Sequence, residues 1–134
     1  MPRLAHGIKV AFRVGFDRVV EVLKSIGEAT SIYFEVLSTK PRVALFIGEK
    51  YFFRAKNYLV ATTVVVERRD GVEVKIVAGG GRESFLDLFD LGASRDYSRM
   101  ILDKLRDALG VAPDNVIEVH YLKAEDSMKL WSSA

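Results

Sequence analysis

Hydrophobic and polar residues alternate along several stretches of the chain, and between these stretches the apolar spacing becomes helical. Residues 7–14 alternate strictly, which predicts a half-buried strand. Apolar residues then recur at helical spacing over 17–27 and predict an amphipathic helix. Asp17 favours the start of this helix, and Gly27 suits a left-handed stop. The chain is therefore expected to begin with a strand followed by a helix.

Alternation returns in the middle of the chain. It predicts four strands, at residues 32–36, 43–47, 57–69 and 72–78. Turn residues at 38–41 join the first two strands, and Gly48 closes the second. Asp70-Gly71 joins the last two as a type I′ hairpin, which pairs Arg69 with Val72. One face of that hairpin is apolar, and the other is polar near the turn.

The longest predicted helix lies in the last third of the chain. It covers residues 95–109, with Ser94 as its cap and Gly110 at its end. Residues 85–91 fit a strand about as well as a helical turn. We interpret them as a strand, because Gly92 and Ser94 give the next helix its own start.

A strand at 115–122 and a short helical turn toward Trp131 complete the predicted elements. The order is strand, helix, four or five antiparallel strands, long helix and short C-terminal strand, in a single α+β domain over residues 1–134. Since a hairpin sheet needs one face covered, we expect the long helix to pack on a curved antiparallel sheet. This β-α-β(4–5)-α order is that of the helix-grip and TATA-binding-protein-like folds.

Composition excludes several kinds of chemistry. The chain of 134 residues has no cysteine, so it has no disulfide, no thiolate zinc site and no thiol nucleophile. A net charge of +2 does not by itself demand nucleic acid or an anionic membrane as partner. With no apolar run long enough to span a membrane and no signal peptide, we expect a cytoplasmic protein. The absence of glutamine and an excess of arginine over lysine predict a thermophilic source.

No catalytic or metal-binding motif is present, so we predict no cofactor and favour a function other than catalysis. His6 and His120 have no partner acid at a fixed spacing, and we expect both to be surface residues of strands. The acidic residues Glu83, Asp87 and Asp90 are typical of an exposed face rather than a cation site.

Two segments carry the candidate ligand-binding residues. Between Tyr51 and Tyr58, aromatic rings alternate with basic and amide side chains, which suits base stacking, or a pocket mouth whose Arg54 pairs with a carboxylate or phosphate. Three glycines followed by Arg82 suit a loop whose backbone N–H groups bind an anion. They suit equally the structural role of glycine at the end of a strand. The candidate ligand-binding residues are Tyr51, Arg54, Asn57, Gly79, Gly80, Gly81 and Arg82.

These segments also form a longer pattern: Tyr51-Phe-Phe-Arg54-x-x-Asn57, then the glycine triplet, then Leu91-Gly92-Ala93. The pattern resembles that of a family of small prokaryotic domains of unknown function, over the middle and later two thirds of the chain. This chain has Leu91 where those domains often carry Trp, and Arg82 where they carry a small residue. The resemblance implies no activity.

Three functions stay open at this point. The first is a non-enzymatic binding domain whose sheet and long helix enclose a mostly apolar cavity for a small anionic or amphipathic ligand, oriented by groups such as Arg54 and Asn57. The second is a nucleic-acid-binding module that uses residues 51–58 with Arg68 and Arg69. The third is a homo-oligomeric subunit in which another copy covers apolar residues on a second sheet face.

Overall fold

The computed structural model describes residues 5–26, 30–52, 57–80, 92–120 and 124–131, which form six strands and three helices. The strands are β1 (His6–Phe12), β2 (Thr30–Leu37), β3 (Val43–Phe52), β4 (Asn57–Arg68), β5 (Gly71–Gly79) and β6 (Asp114–His120). The helices are α1 (Phe16–Lys24), α2 (Ala93–Leu109) and α3 (Ala124–Trp131).

The six strands form one antiparallel sheet in the order β2-β3-β4-β5-β1-β6. Consecutive hairpins place β2 to β5 side by side, while β1 pairs with β5 on one side and with β6 on the other. The sheet is curved and does not close, and the long helix packs on it. The predicted α+β class with an antiparallel sheet is therefore confirmed.

Helices α1 and α2 pack on one face of the sheet and form the main core with it. Alternate strand residues point toward the helices and meet their apolar stripes, because side chains repeat every two residues in a strand and every 3.6 in a helix. The largest fully buried side chains of this core include Ile8, Phe12, Leu59, Ile76, Tyr97 and Leu105. Burial of a side chain of this size contributes about 1.5–3 kcal/mol.

The second face of the sheet is covered at one end by α3, which contacts β6 and β1. There Val119 and Leu130 are buried but do not belong to the main core. Over β2 to β5, the side chains on this face are half-buried or exposed in the described part of the chain.

The ends of the helices differ in part from the prediction. Helix α1 ends at Lys24, and Ser25 caps it through its N–H and hydroxyl, which both bond to the Val22 carbonyl oxygen. The predicted stop at Gly27, which lies outside the described residues, is therefore wrong, because Ser25 already satisfies a terminal carbonyl.

Helix α2 begins two residues before the predicted start at position 95. Gly92 is its N-cap, whereas the predicted cap Ser94 lies inside the first turn and is buried. The predicted end is confirmed, since Gly110 adopts the left-handed conformation with φ 71°.

The hairpin between β4 and β5 has a different register from the predicted one. Arg68 pairs with Gly71, so the two turn residues are Arg69 and Asp70. A type I′ turn needs positive φ at both turn residues, but Asn115 is the one described non-glycine residue with positive φ. The register differs from the prediction by two positions, so every side chain keeps its predicted face.

Strand β3 is longer than predicted. The expected end at Gly48 is wrong, because Gly48 pairs with Ala61 inside the ladder and the strand continues to Phe52. Residues 85–91 lie outside the described residues. At the C-terminus, α3 is a helix of eight residues rather than a short turn. None of the helices in the described ranges is both long and apolar enough to cross a membrane.

Candidate functional site

Several predicted ligand-binding residues meet at one end of the sheet. The end of β3, the start of β4 and the end of β5 lie side by side there, because Tyr51 pairs with Tyr58 and Val60 pairs with Gly79. We call this region the glycine end; it comprises Tyr51, Phe52, the backbone of Asn57, Tyr58, Gly79 and Gly80. The structure thus brings together four of the seven predicted residues. Arg54, Gly81 and Arg82 lie outside the described residues.

The two tyrosines of the glycine end form an aromatic pair on the face away from α2. Their ring centroids are 5.1 Å apart, and the rings meet edge to face at 64°. Tyr51 therefore does not face the space between the sheet and α2. Its neighbour Phe52 does, since its ring lies 5.4 Å from that of Tyr97 in α2.

Position 80 requires glycine because the backbone there lies very close to β4. A Cβ atom at this position would lie 2.7 Å from Leu59 Cδ2 and 2.9 Å from the Tyr58 carbonyl oxygen. The chain leaves β5 directly against the backbone of β4, which gives this glycine a structural role.

The N-terminal half of α2 lies over the glycine end and carries buried polar groups. Three of its atoms, Ser94 Oγ, Arg95 Nε and Tyr97 Oη, are buried and have no hydrogen-bond partner among the described residues. Ser94 is 2% exposed and Tyr97 is 0% exposed. Arg95 Nε lies 3.7 Å from Asp96 Oδ1, too long for a hydrogen bond. Each unsatisfied buried group costs about 1–3 kcal/mol.

The Tyr97 hydroxyl is held in its protonated form. Burial raises the pKa of Tyr97 to about 12, and the negative charge of Glu49 adds to the effect. At neutral pH this group is therefore a hydrogen-bond donor facing a low-dielectric environment.

A second polar group at this end links three elements through His6. Its Nδ1 lies 2.5 Å from Ser98 Oγ in α2, and its Nε2 lies 3.0 Å from Glu118 Oε2 in β6. Glu118 also accepts hydrogen bonds from Arg99, with Nε at 3.1 Å and Nη2 at 3.0 Å. The prediction that His6 is a surface residue is wrong: it is 1% exposed, because its side chain points from β1 toward α2 and meets Ser98 there.

The combination of serine, histidine and acid invites comparison with hydrolases, but the geometry gives it a structural role. Ser98 is fully buried, and its hydroxyl donates to the Arg95 carbonyl oxygen at 2.9 Å. A nucleophile has to reach its substrate, and Ser98 does not. The arrangement ties β1 and β6 to α2.

The burial of His6 could be predicted from the sequence, but its pairing with Glu118 could not. His6 continues the alternation of Ile8, Val10 and Phe12, so its burial could have been predicted by extending that pattern by one step. Its partner Glu118 could not, because the pairing of β1 with β6 joins distant parts of the chain.

The described residues of the sheet and the helices enclose one small cavity near α1. A cavity of about 20 Å³ lies between α1, α2, β3 and β4, and its lining includes Phe46, Ala61, Thr63 and Ile101. This volume holds about one water molecule. An organic ligand needs more room than this cavity offers.

The two halves of the predicted nucleic-acid surface are far apart. Arg68 and Tyr58 are at opposite ends of β4, about 34 Å apart at roughly 3.4 Å per residue. Arg68 Nη2 lies 3.5 Å from Glu73 Oε1, so these two residues form an ion pair. Nucleic-acid binding stays a prediction.

Within the described ranges, no three histidine, aspartate or glutamate side chains converge as metal ligands would. No family model matches the chain, and no curated protein is similar to it. The resemblance of the pattern from Tyr51 to Ala93 to a family of small prokaryotic domains stays a prediction.

Proposed function

We propose that this protein binds a small amphipathic anion at the glycine end, beneath the first turns of α2. The observation that carries the proposal is a set of three buried donors with no hydrogen-bond partner in the described part of the chain, Ser94 Oγ, Arg95 Nε and Tyr97 Oη. Buried polar groups are almost always satisfied in folded proteins, so three such donors within residues 94–97 of one helix call for an acceptor.

The donors favour a negatively charged group. Arg95 carries a positive charge, Ser94 lies in the first turn of α2, and the partial positive charge of a helix N-terminus stabilises anions there. A carboxylate or phosphate accepts several hydrogen bonds at once and would satisfy hydroxyl and guanidinium donors together.

The surroundings of the donors favour an apolar portion in the ligand. The Phe52 ring packs beside Tyr97, and Leu59 and Ala78 are fully buried below. A short aliphatic chain would gain about 0.8 kcal/mol for each CH₂ group that it buries there. The helix-grip comparison belongs to this proposal and is supported by the order of elements, with a long helix on a curved sheet. A thermophilic source is also a proposal, and it is supported by composition alone.

Native mass spectrometry and thermal unfolding together test the proposal. We expect protein purified from cells to carry a small acidic molecule in native mass spectra. We also expect octanoate, an amphipathic probe, to raise the melting temperature by about 5 °C at ten times its Kd, and inorganic phosphate to do so less.

A paired variant and a control make the result specific. Ser94→Ala combined with Tyr97→Phe removes two of the three donors and should abolish the octanoate shift. Tyr33→Phe removes an exposed hydroxyl on β2 and should leave the shift unchanged. Clean apo spectra with no shift by either probe, or an equal shift in the paired variant, would refute the proposal.

A further inference from the structure

The second face of the sheet carries a large apolar surface across β2 to β5. We call the side chains of these four strands that point away from α1 and α2 the open face. Leu45, Ile47 and Val64 lie at its centre and are half-buried, while Tyr33 and Tyr58 near its margins are 48% and 57% exposed. Contiguous apolar patches of this kind mark interaction surfaces in soluble proteins.

The charges of the open face lie on opposite sides of its apolar centre. The ladders align one cross-strand row as Glu35, Leu45, Val64 and Lys75, on β2, β3, β4 and β5. Residues directly opposite in antiparallel strands share a face, so this row runs from acid through two apolar residues to base.

The β5 side of the face is basic beyond this single row. Lys75 and Arg68 each lie 3.5 Å from a Glu73 oxygen, and Lys9 lies 3.8 Å from the other. Three cations thus surround one carboxylate. On the other side, Glu49 in β3 adds a second acid to Glu35.

We propose that a second copy of this chain covers the open face, related by a two-fold axis that runs parallel to the strands between β3 and β4. Such an axis exchanges β2 with β5 and β3 with β4. It therefore places Glu35 over the partner's Lys75, and Leu45 over the partner's Val64. Because the interface is isologous, each charge pair forms twice.

One neighbouring row, Tyr33, Ile47, Thr62 and Val77, carries no charge, and the axis brings Tyr33 over the partner's Val77. On the other side, Leu37 lies over the partner's Glu73, so the charge match is that of Glu35 with Lys75. Packed sheets lie about 10 Å apart and align within about 30°, a distance that glutamate and lysine side chains can span together.

Charge reversal on the full chain tests the arrangement by sedimentation velocity and light scattering. We expect a dimer of the unaltered protein at about 100 µM, a concentration at which even weak interfaces are populated. Glu35→Lys or Lys75→Glu alone places like charges against each other twice and should raise the dimer Kd at least about tenfold. Glu35→Lys combined with Lys75→Glu should restore the dimer.

Two further variants keep the test independent of folding defects. Glu49 pairs with Val60 across β3 and β4, so the axis places Val60 over the partner's Glu49. Because Val60 is 39% exposed, Val60→Lys should fold and should tighten the dimer, whereas Val60→Glu should weaken it. Glu125→Lys, with the same charge change on exposed α3, should leave the dimer unchanged.

Circular dichroism confirms the fold of each variant. A monomer mass for the unaltered protein at about 100 µM would overturn the proposal. So would a dimer that the paired reversal fails to restore, or one to which both Val60 variants are indifferent, since each result places the interface elsewhere.

Discussion

The backbone of Phe12 in β1 passes so close to Gly71 at the start of β5 that a Cβ atom at position 71 would collide with the Phe12 carbonyl oxygen. Gly71 also has φ 153°, a conformation that residues with side chains rarely adopt. This contact holds β1 against the β4–β5 hairpin, since Phe12 pairs with Val72 in the same ladder.

We predict that Gly71→Ala lowers the free energy of unfolding by more than about 3 kcal/mol, because the clash involves backbone that cannot move without breaking the ladder. Urea denaturation measures the change. Gly15→Ala is the control: no atom lies within 4 Å of a Cβ at Gly15, and we expect a change within about 1 kcal/mol. Equal effects of the two substitutions would contradict the argument.

A second prediction concerns the link between His6 and Ser98. His6→Ala should cost about 2–4 kcal/mol, because it leaves a cavity and removes a partner from both Ser98 and Glu118. A double-mutant cycle with Ser98→Ala should give a coupling energy of at least about 1 kcal/mol. The matched cycle of Ser98→Ala with Glu125→Ala, on exposed α3, should give none. Additive effects of His6→Ala and Ser98→Ala would show that the contact contributes nothing.

A third prediction concerns the buried hydroxyl of Tyr97. In the absence of ligand, Tyr97→Phe should leave stability unchanged or raise it by about 1 kcal/mol, because it removes a donor that has no partner among the described residues. The substitution of a hydrogen-bonded tyrosine would instead destabilise the protein, and that outcome in urea denaturation would argue against an unsatisfied group.

A fourth prediction is that Tyr97 makes the folded protein less stable at alkaline pH. The pKa of Tyr97 is raised to about 12, so the folded state holds this proton more tightly than the unfolded state, where tyrosine titrates near about 10. The contribution of this proton to the free energy of unfolding is full below about pH 10, and it is lost as pH rises toward 12. The melting temperature of Tyr97→Phe should fall less between pH 10 and 12 than that of Tyr58→Phe, the control at an exposed tyrosine. Equal falls in the two variants would refute the raised pKa.

A fifth prediction concerns acid pH and the contact of Arg42 with Glu67. Arg42 Nη2 lies 2.9 Å from Glu67 Oε2, and Nη1 lies 3.0 Å from Asp17 Oδ1, so one guanidinium joins β4 to the start of α1. Hydrogen bonds from Arg42 lower the pKa of Glu67 below its usual value.

Because the pKa of Glu67 is lowered in the folded state, its carboxylate stabilises the fold at every pH above the ordinary pKa of glutamate. This stabilisation is lost as pH falls through the pKa of Glu67 in the folded protein. Glu67→Gln should therefore flatten the acid decline of the melting temperature, whereas Glu125→Gln should not. If the profile of Glu67→Gln follows that of the unaltered protein down to low pH, Glu67 is not the group that titrates.

The candidate site was accessible to sequence reasoning only in part. The aromatic and glycine segments could be predicted as a site, since Tyr51, Tyr58 and Gly79 stand out by composition, and the ladders do bring them together. The spacing does not predict the unsatisfied donors, because it favours Ser94 as the helix cap. Its hydroxyl turns inward because Gly92 already occupies the cap position, which becomes visible only when the helix start is known.

Local periodicity by itself determined which residues of β1, β4 and β5 face the core, because side-chain direction in a strand depends only on the parity of the position. Even the wrong hairpin register kept every face, since it differed by two residues. Only the tertiary structure decided that β1 lies between β5 and β6, that His6 is buried against Glu118, and that an acid and a base stand at opposite sides of the open face. These features depend on pairing between residues distant in the chain, whose free energy comes from contacts that no local spacing contains.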